Sequence, residues 1–495
     1  MTRLLSSGAR LQVSGRIGLC VAAALLAAPA SRALSPQDPL LSPSTLNSPA
    51  SKSKKQQNHS PSDKNAPQPS IVVPTTPLGF APPAPFYLGE RFAQASLNFL
   101  DEDTLLFTFR VPGLIAREPA TPGQRASDQR HIRAVTLSLP SGKVAAESLW
   151  VLHDYTRYLW VLKDHKFLLR DRNMLQIGDA SLHLEPFLRF PGLVSTIEFD
   201  PRQDWLVADT VEPSAPGQKP DAGRPVSTPS ISDAADSDAV STSNLISSAA
   251  SVTVNGRPAA DRPKSQSDDQ DLLRIFNMQT RKVMLFSRIN AAVHLPIDGE
   301  GYYEALRGDG THWMISFEYF QGASRPLGWI ESTCNPSLDA IAPGIVLASG
   351  CTGYGARHLT VLSRDRDKDH ARLWETALAP TKVWPQLATS ADGLRMARAT
   401  LEVSHPIGPY NPLDNSDIRG QSVQVYDLAT GKVELTVPTS PVLDAGGNFA
   451  LSPSGNRLAV LDQGAIRIFD LPPAPPVAAP VVSVPPAADP GSSQR

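Results

Sequence analysis

Two linked stretches decide the fold. The first is Ala388-Thr-Ser390-Ala-Asp-Gly393-Leu-Arg395-Met-Ala397, and the second is Gln424-Val-Tyr-Asp-Leu-Ala-Thr-Gly-Lys432-Val433. In each, an apolar run enters a polar turn and a new apolar run leaves it, the pattern of a β-hairpin. Both recur. Ala450-Leu-Ser452-Pro-Ser-Gly455-Asn-Arg457-Leu-Ala459 repeats the first 62 residues on, and Arg467-Ile-Phe-Asp470-Leu471 is a truncated second. Further copies of the second are Val135-Thr-Leu-Ser-Leu-Pro-Ser-Gly-Lys143-Val144 and Arg274-Ile-Phe-Asn-Met-Gln-Thr-Arg-Lys282-Val283; Asp200-Pro201 followed by Trp205-Leu206-Val207 is a weaker first. Each repeat therefore carries two hairpins, or four strands.

Short runs of Val, Ile, Leu and aromatics continue outward from these copies: Leu105 to Phe109, Tyr158 to Leu162, Phe167 to Leu169, Leu206 to Ala208, Ile345 to Leu347 and Leu458 to Leu461. Gly, Asp, Asn and Pro separate them, and no long amphipathic helix pattern interrupts them. The chain reads as all-β. The strands ending Val425-Tyr426-Asp427 and Ile468-Phe469-Asp470, each after a Ser-x-x-Gly-x-x-Leu/Met-Ala hairpin, resemble the blades of bacterial WD40-like (YVTN-type) β-propellers. Tyr-Asp, Phe-Asp or Phe-Asn stands where eukaryotic WD40 repeats have Trp-Asp, and their Gly-His dipeptide is missing. The resemblance thus implies the architecture and not that family's hydrogen-bonded tetrad.

The expectation is a single β-propeller over residues 86–472, with about seven four-stranded blades in a range of six to eight. The blades would begin near Ala93, Leu149, Val194, Ala291, Ser337, Trp384 and Asp444. The last shows three strands, and Phe86 to Glu90 is the expected fourth, which would close the ring and protect its edges. Two stacked sandwiches are the rival, disfavoured by the repeat.

The chain has 495 residues and a net charge of −2, so bulk charge announces no nucleic acid. All 16 Phe, 7 Trp and 9 Tyr lie between Phe80 and Trp205 or between Phe276 and Phe469. Residues 34–85, 212–271 and 473–495, rich in Pro, Ser, Ala and Asp, read as disordered linker, internal insertion and tail. The insertion reads as a loop within one domain, because long surface loops add little closure entropy. Arg3, Arg10 and Arg16 followed by the apolar run Ile17 to Ala28, with small residues at Ala30 and Ala33, read as a signal peptide over 1–33. A secreted or periplasmic protein with no membrane span after cleavage is expected, and a monomer.

Of the 3 Cys, Cys334 and Cys351 flank two strands around Pro343-Gly344, and in an oxidising compartment they would pair. The binding candidates are His153, Asp154, Trp313 and Tyr319. His153-Asp154 offers an acid–base pair, but reads first as a tie between strands. Trp313, Phe317 and Tyr319 alternate onto one strand face with Phe320 on the other. They suit packing between blades or a stacking platform. The 10 His are scattered with no zinc spacing. Asp365-Arg-Asp367-Lys-Asp369 breaks the calcium-loop pattern at His370. Gly350-Cys-Thr-Gly353-Tyr-Gly355 lacks a phosphate-loop Lys, and no Gly-x-Ser-x-Gly occurs. No catalytic residue, metal or cofactor is assigned. The expected role is an envelope binding or scaffold protein that recognises a protein or glycan through its rim loops. The alternative is a channel-site enzyme resembling quinoprotein dehydrogenases or metal-dependent lactonases.

Overall fold

The computed structural model describes residues 67–81, 95–111, 116–117, 128–153, 157–213, 240–241, 269–289, 293–353, 356–367, 370–407, 413–440, 442 and 447–473. All belong to the compact unit Asp63–Arg495.

Antiparallel strands form seven sheets, each with a four-stranded meander. The first strand of each meander lies innermost: Ala95–Phe99, Leu159–Leu162, Leu193–Phe199, Ile297–Asp298, Ser337–Ala342, Lys382–Thr389 and Phe449–Leu451. The fourth lies outermost, as Val144, Leu149 and Val151 on Lys143–Leu152 illustrate by their exposure. Leu149 therefore ends blade 1, and blade 2 opens at Leu159. The Lys143 signature starts an outer strand, and that strand must run its full length before the chain can turn inward.

The recurrent turns are made by one device. Ser390 Oγ accepts the Arg395 N–H at 3.0 Å, and Ser452 Oγ accepts the Arg457 N–H at 3.2 Å. Asp200 Oδ1 does the same for the Trp205 N–H at 2.7 Å. Gly393 and Gly455 take φ of +70° and +68°, which glycine adopts without steric cost. In the second hairpin, Asp427 Oδ1 accepts Thr430 N–H at 2.8 Å and Asn277 Oδ1 accepts Thr280 N–H at 2.8 Å. The acidic or amide residue after the aromatic is thus a turn cap.

Apolar residues from facing sheets form one core at each of the seven blade boundaries. Phe167, Leu106 and Trp150 join blades 1 and 2; Leu168, Leu206 and Phe276 join 2 and 3; Leu273 and Tyr302 join 3 and 4. Phe317 and Val346 join 4 and 5, Val361 and Tyr426 join 5 and 6, and Val423 and Val460 join 6 and 7. The seventh core, with Leu97, Phe107, Ala459 and Ile468, joins the last blade to the first and closes the ring.

The closing strand is not Phe86 to Glu90, which lies outside the described residues. It is Ile71–Pro74, which pairs with Ala465 to Ile468 as the outer strand of blade 7. Residues 67–81, inside the Pro-rich segment expected to be disordered, are therefore ordered. The sheet of blade 7 supplies the hydrogen-bonding edge that this short strand lacks alone, and Pro74 at its end needs no ladder donor. Thr75 donates N–H and Oγ–H to the Gly464 carbonyl at 2.9 and 2.8 Å. Phe80 then fits against Phe107 and Phe109, ring centroids 5.4 and 5.3 Å apart.

Trp205–Pro213 and Asp269–Asn277 pair along their length, from Trp205 opposite Asn277 to Pro213 opposite Asp269. Residues 214–268 therefore join neighbouring strands of blade 3. Within them Val240–Ser241 pairs in parallel with the outer strand Val283–Ile289.

Candidate functional site

The meander gives the ring two unlike faces. First-to-second and third-to-fourth turns lie at one end of every blade, and second-to-third and blade-to-blade connections at the other. On the first face the links are tight, as from Leu162 to Lys166 or from Ala342 to Ile345. The second face carries the long ones: Pro74 to Ala95, Arg110 to Asp128, Pro213 to Asp269, Val403 to Ile418 and Thr439 to Phe449. Both ends of the described chain leave at the tight-turn face. Ser70 sits beside Ile468 there, and the Pro472 carbonyl accepts from Arg395 Nη2 at 2.5 Å.

On the loop face, the disulfide links Cys334 and Cys351 with Cα atoms 5.5 Å apart. Ser337 faces Ser349 in the ladder, which brings the cysteines together just beyond it. Ser332 Oγ–H donates to the Cys334 carbonyl at 2.6 Å and accepts the Cys351 N–H at 3.0 Å, so hydrogen bonds brace the same loop.

His153 also lies on this face, at the end of blade 1. Its Nδ1 is 3.0 Å from both oxygens of Asp171, which ends the second strand of blade 2. The carboxylate beside it is thus Asp171 from the next blade; Asp154 lies outside the described residues. Trp313 donates Nε1–H to the Ser332 carbonyl at 3.0 Å. Trp313 and half-buried Tyr319 pack with Phe317 on the face toward blade 5, and Phe320 packs toward blade 3. Among the described candidates, His153 lies between blades 1 and 2 while Trp313 and Tyr319 lie in blade 4, so these three do not form one site.

A different set meets at the inner segments of neighbouring blades. Glu198, His294 and Asp339 come from the inner segments of blades 3, 4 and 5. His294 Nδ1 lies 2.6 Å from Glu198 Oε1, and its Nε2 lies 2.6 Å from the Leu338 carbonyl. The Leu295 N–H donates to Glu198 Oε2 at 3.1 Å. Asp339 Oδ1 stands 3.8 Å from His294 Nε2. Arg157, entering blade 2, stacks over Trp160 at 5.3 Å and feels the Glu198 charge. Four consecutive blades thus present alternating charges.

Burial alone would lower the His294 pKa, but the Glu198 charge and hydrogen bond, Asp339 and the Leu338 carbonyl outweigh it and raise it to about 10. Both ring nitrogens face acceptors, so His294 is an imidazolium that donates twice. It ties three blades together and is not free to act as a base. Burial pushes the Asp339 carboxyl up, opposed by His294 and assisted by Glu198. Among the described residues no group of three or more His, Cys, Asp or Glu is placed to hold a metal ion. No helix among them is long and apolar enough to cross a membrane. Sequence reasoning missed this cluster because its members are far apart in the chain and each looks ordinary locally.

The chain is a seven-bladed β-propeller. No family model and no curated protein matches it. Among solved structures it is similar to Kluyveromyces lactis Hsv2, at 13% identity over 62% of this chain and 71% of that one, TM-score 0.32. It is similar to Pyrococcus horikoshii acylaminoacyl peptidase at 11% identity over 76% of this chain and 50% of that one, TM-score 0.40. The β-propeller domain of Myceliophteria thermophila Cps50 (Swd1) aligns at 12% identity over 77% and 98%, TM-score 0.28. Likenesses this distant carry no argument about activity or partners.

Proposed function

We propose that this protein is an exported binding or scaffold protein of the cell envelope that recognises a protein or glycan through the loop face of its propeller. The observation that carries this reading is the asymmetry of the ring. The long connections gather on one face while both described chain ends leave at the other. That arrangement gathers the long connections on one face of a rigid scaffold, where binding segments are commonly carried, and keeps the ends of the described chain away from them. The Cys334–Cys351 bridge supports an oxidising compartment, where such bonds persist. The signal-like residues 1–33 supply the route. The rival reading, a channel enzyme, has less support, since His294 is committed as a donor on both nitrogens.

The test replaces residues 214–268 and 404–417 by short turns in the full chain and repeats photo-crosslinking in intact cells. Adducts formed by the natural chain should disappear, and substitutions in the tight turns at Asp164 or Asp392 should leave them. Adducts that survive both replacements would refute loop-face recognition. The N-terminus of the cell-purified protein should begin after Ala30 or Ala33; an intact Met1 on a cytoplasmic protein would refute export.

A further inference from the structure

Arg274 and Arg395 are buried, and each holds a carboxylate: Arg274 Nη1 lies 2.8 Å from Glu212 Oε1, and Arg395 Nε lies 2.6 Å from Glu434 Oε2. Arg398 is as deeply buried, at 1% exposure, yet its partners among the described residues are neutral. Its Nη2 donates to Tyr426 Oη at 2.5 Å and to Gln424 Oε1 at 3.1 Å. Its Nε and Nη1 are buried without a hydrogen-bond partner, and so is Thr400 Oγ, two residues on in the strand Arg395–Val403.

Strand alternation shows where these groups point. Met396 and Tyr426 pack with Leu359 and Val361 in the core between blades 5 and 6. Arg398 and Thr400 share a strand face with Met396, so they turn to the same seam. The facing strand of blade 5, Arg357–Ser363, turns Arg357 that way together with Leu359 and Val361, which adds a cation and no carboxylate. Beyond Thr400 the next charge on that face is Glu402. Its Oε1 accepts from Ser422 Oγ–H at 3.2 Å and lies 3.9 Å from Lys382 Nζ, so it is engaged at the loop end of the strand.

Tyr426 does not balance Arg398 as a phenolate. Burial raises its pKa against the pull of Arg398, and its Oη–H donates to Gln424 Oε1 at 2.9 Å. Burial also pulls the Arg398 pKa down, but a guanidinium keeps its proton in proteins. A charge held away from water without an opposite partner is strongly unfavourable. A buried water would satisfy a donor and leave the charge unbalanced.

We propose that Arg398 binds a small monovalent anion, of the halide class, in the seam between blades 5 and 6, with its Nε–H or Nη1–H and the Thr400 hydroxyl as donors. One unbalanced buried charge calls for one negative charge. The seam sets the size. Met396, Leu359 and Val361 are all buried, so the surroundings are apolar and enclosed and suit a single-atom ion better than a carboxylate that carries a tail.

The test is urea denaturation of the full chain in sodium chloride and in sodium gluconate at equal ionic strength. Gluconate is too large for an enclosed seam, and matched ionic strength equalises general screening. Once chloride is saturating, the folded-to-unfolded ratio should rise about tenfold for each tenfold rise in chloride, because one anion binds the folded chain alone. Arg398→Met should abolish that dependence, Arg398→Lys should keep part of it, and Thr400→Val should weaken it. An arginine with a purely packing role would lower stability when replaced, with no halide dependence in the natural chain. Crystals of the natural chain grown in sodium bromide should show an anomalous peak in contact with Arg398 Nε or Nη1, a readout that requires no variant to fold. The proposal is overturned if chloride and gluconate give equal stability, or if Arg398→Met keeps the chloride dependence. It is equally overturned if bromide appears at exposed sites only and water occupies the guanidinium. None of these outcomes bears on loop-face recognition, which the crosslinking tests separately.

Discussion

The ring closure makes the sharpest prediction, because the segment responsible reads as linker. Phe80 is 6% exposed and packs edge-on against Phe107 and Phe109. Truncating a buried Phe to Ala costs about 3–5 kcal/mol, including the cavity it leaves. Phe80 is anchored through a short terminal strand, so the loss cannot exceed what docking of residues 67–81 contributes. The two largest apolar parts of that docking are Phe80 and Val73, at roughly 1.5–3 kcal/mol each. Phe80→Ala should therefore lower stability by about 3 kcal/mol, near the lower end of the truncation range. Urea denaturation followed by tryptophan fluorescence would measure it. Val72→Ala is the control: Val72 is on the same strand but 52% exposed, and its change should stay within about 0.5 kcal/mol. Amide hydrogens of Ile466 and Ile468 should exchange faster in Phe80→Ala as the strand detaches. A Phe80→Ala protein within about 1 kcal/mol of the natural chain, with unaltered exchange, would show that the ring does not depend on this strand.

The other predictions concern the seam, the bridge, His294 and the chain exit. At Gly447 an added Cβ would run into the Ala95 carbonyl oxygen, so Gly447→Ala should destabilise by about 1–3 kcal/mol in the same urea assay. Replacing Cys334 and Cys351 by Ser should cost about 3 kcal/mol by the loop-entropy relation, and reductant should reproduce the loss in the natural chain. The His294 pKa is raised to about 10 from the ordinary value of 6.5, so its stabilisation is complete below pH 6.5 and is lost as pH rises through about 10. Stability should fall across that window by at most about 1.4 kcal/mol per pH unit, and His294→Gln should abolish this part of the slope. Arg395 is 1% exposed and holds Glu434 Oε2 at 2.6 Å as well as the Gly455 and Pro472 carbonyls. Arg395→Met should destabilise by about 3–5 kcal/mol, measured by thermal or urea unfolding, because it strands buried acceptors.

The repeat itself determined the architecture. Turn chemistry is local: a Ser or Asp whose side chain caps an N–H five residues on, and a Gly at positive φ, announce a hairpin wherever they occur. Strand alternation is local too, which is why the opposite facing of Phe317 and Phe320 could be read from the sequence. The pairing of Cys334 with Cys351 followed from a single hairpin register. Contacts between distant parts of the chain were not legible. Ile71–Pro74 is a strand only because blade 7 offers it an edge 391 residues away, as the pairing of Pro74 with Ala465 and the Thr75–Gly464 bond separated by 389 positions make plain. His153 meets Asp171 only because blade 2 lies beside blade 1. Glu198, His294 and Asp339 meet only because blades 3, 4 and 5 lie side by side. Sequence fixes what neighbours along a strand can do; which strands become neighbours is decided by the packing of whole blades, and this cluster is a product of that packing.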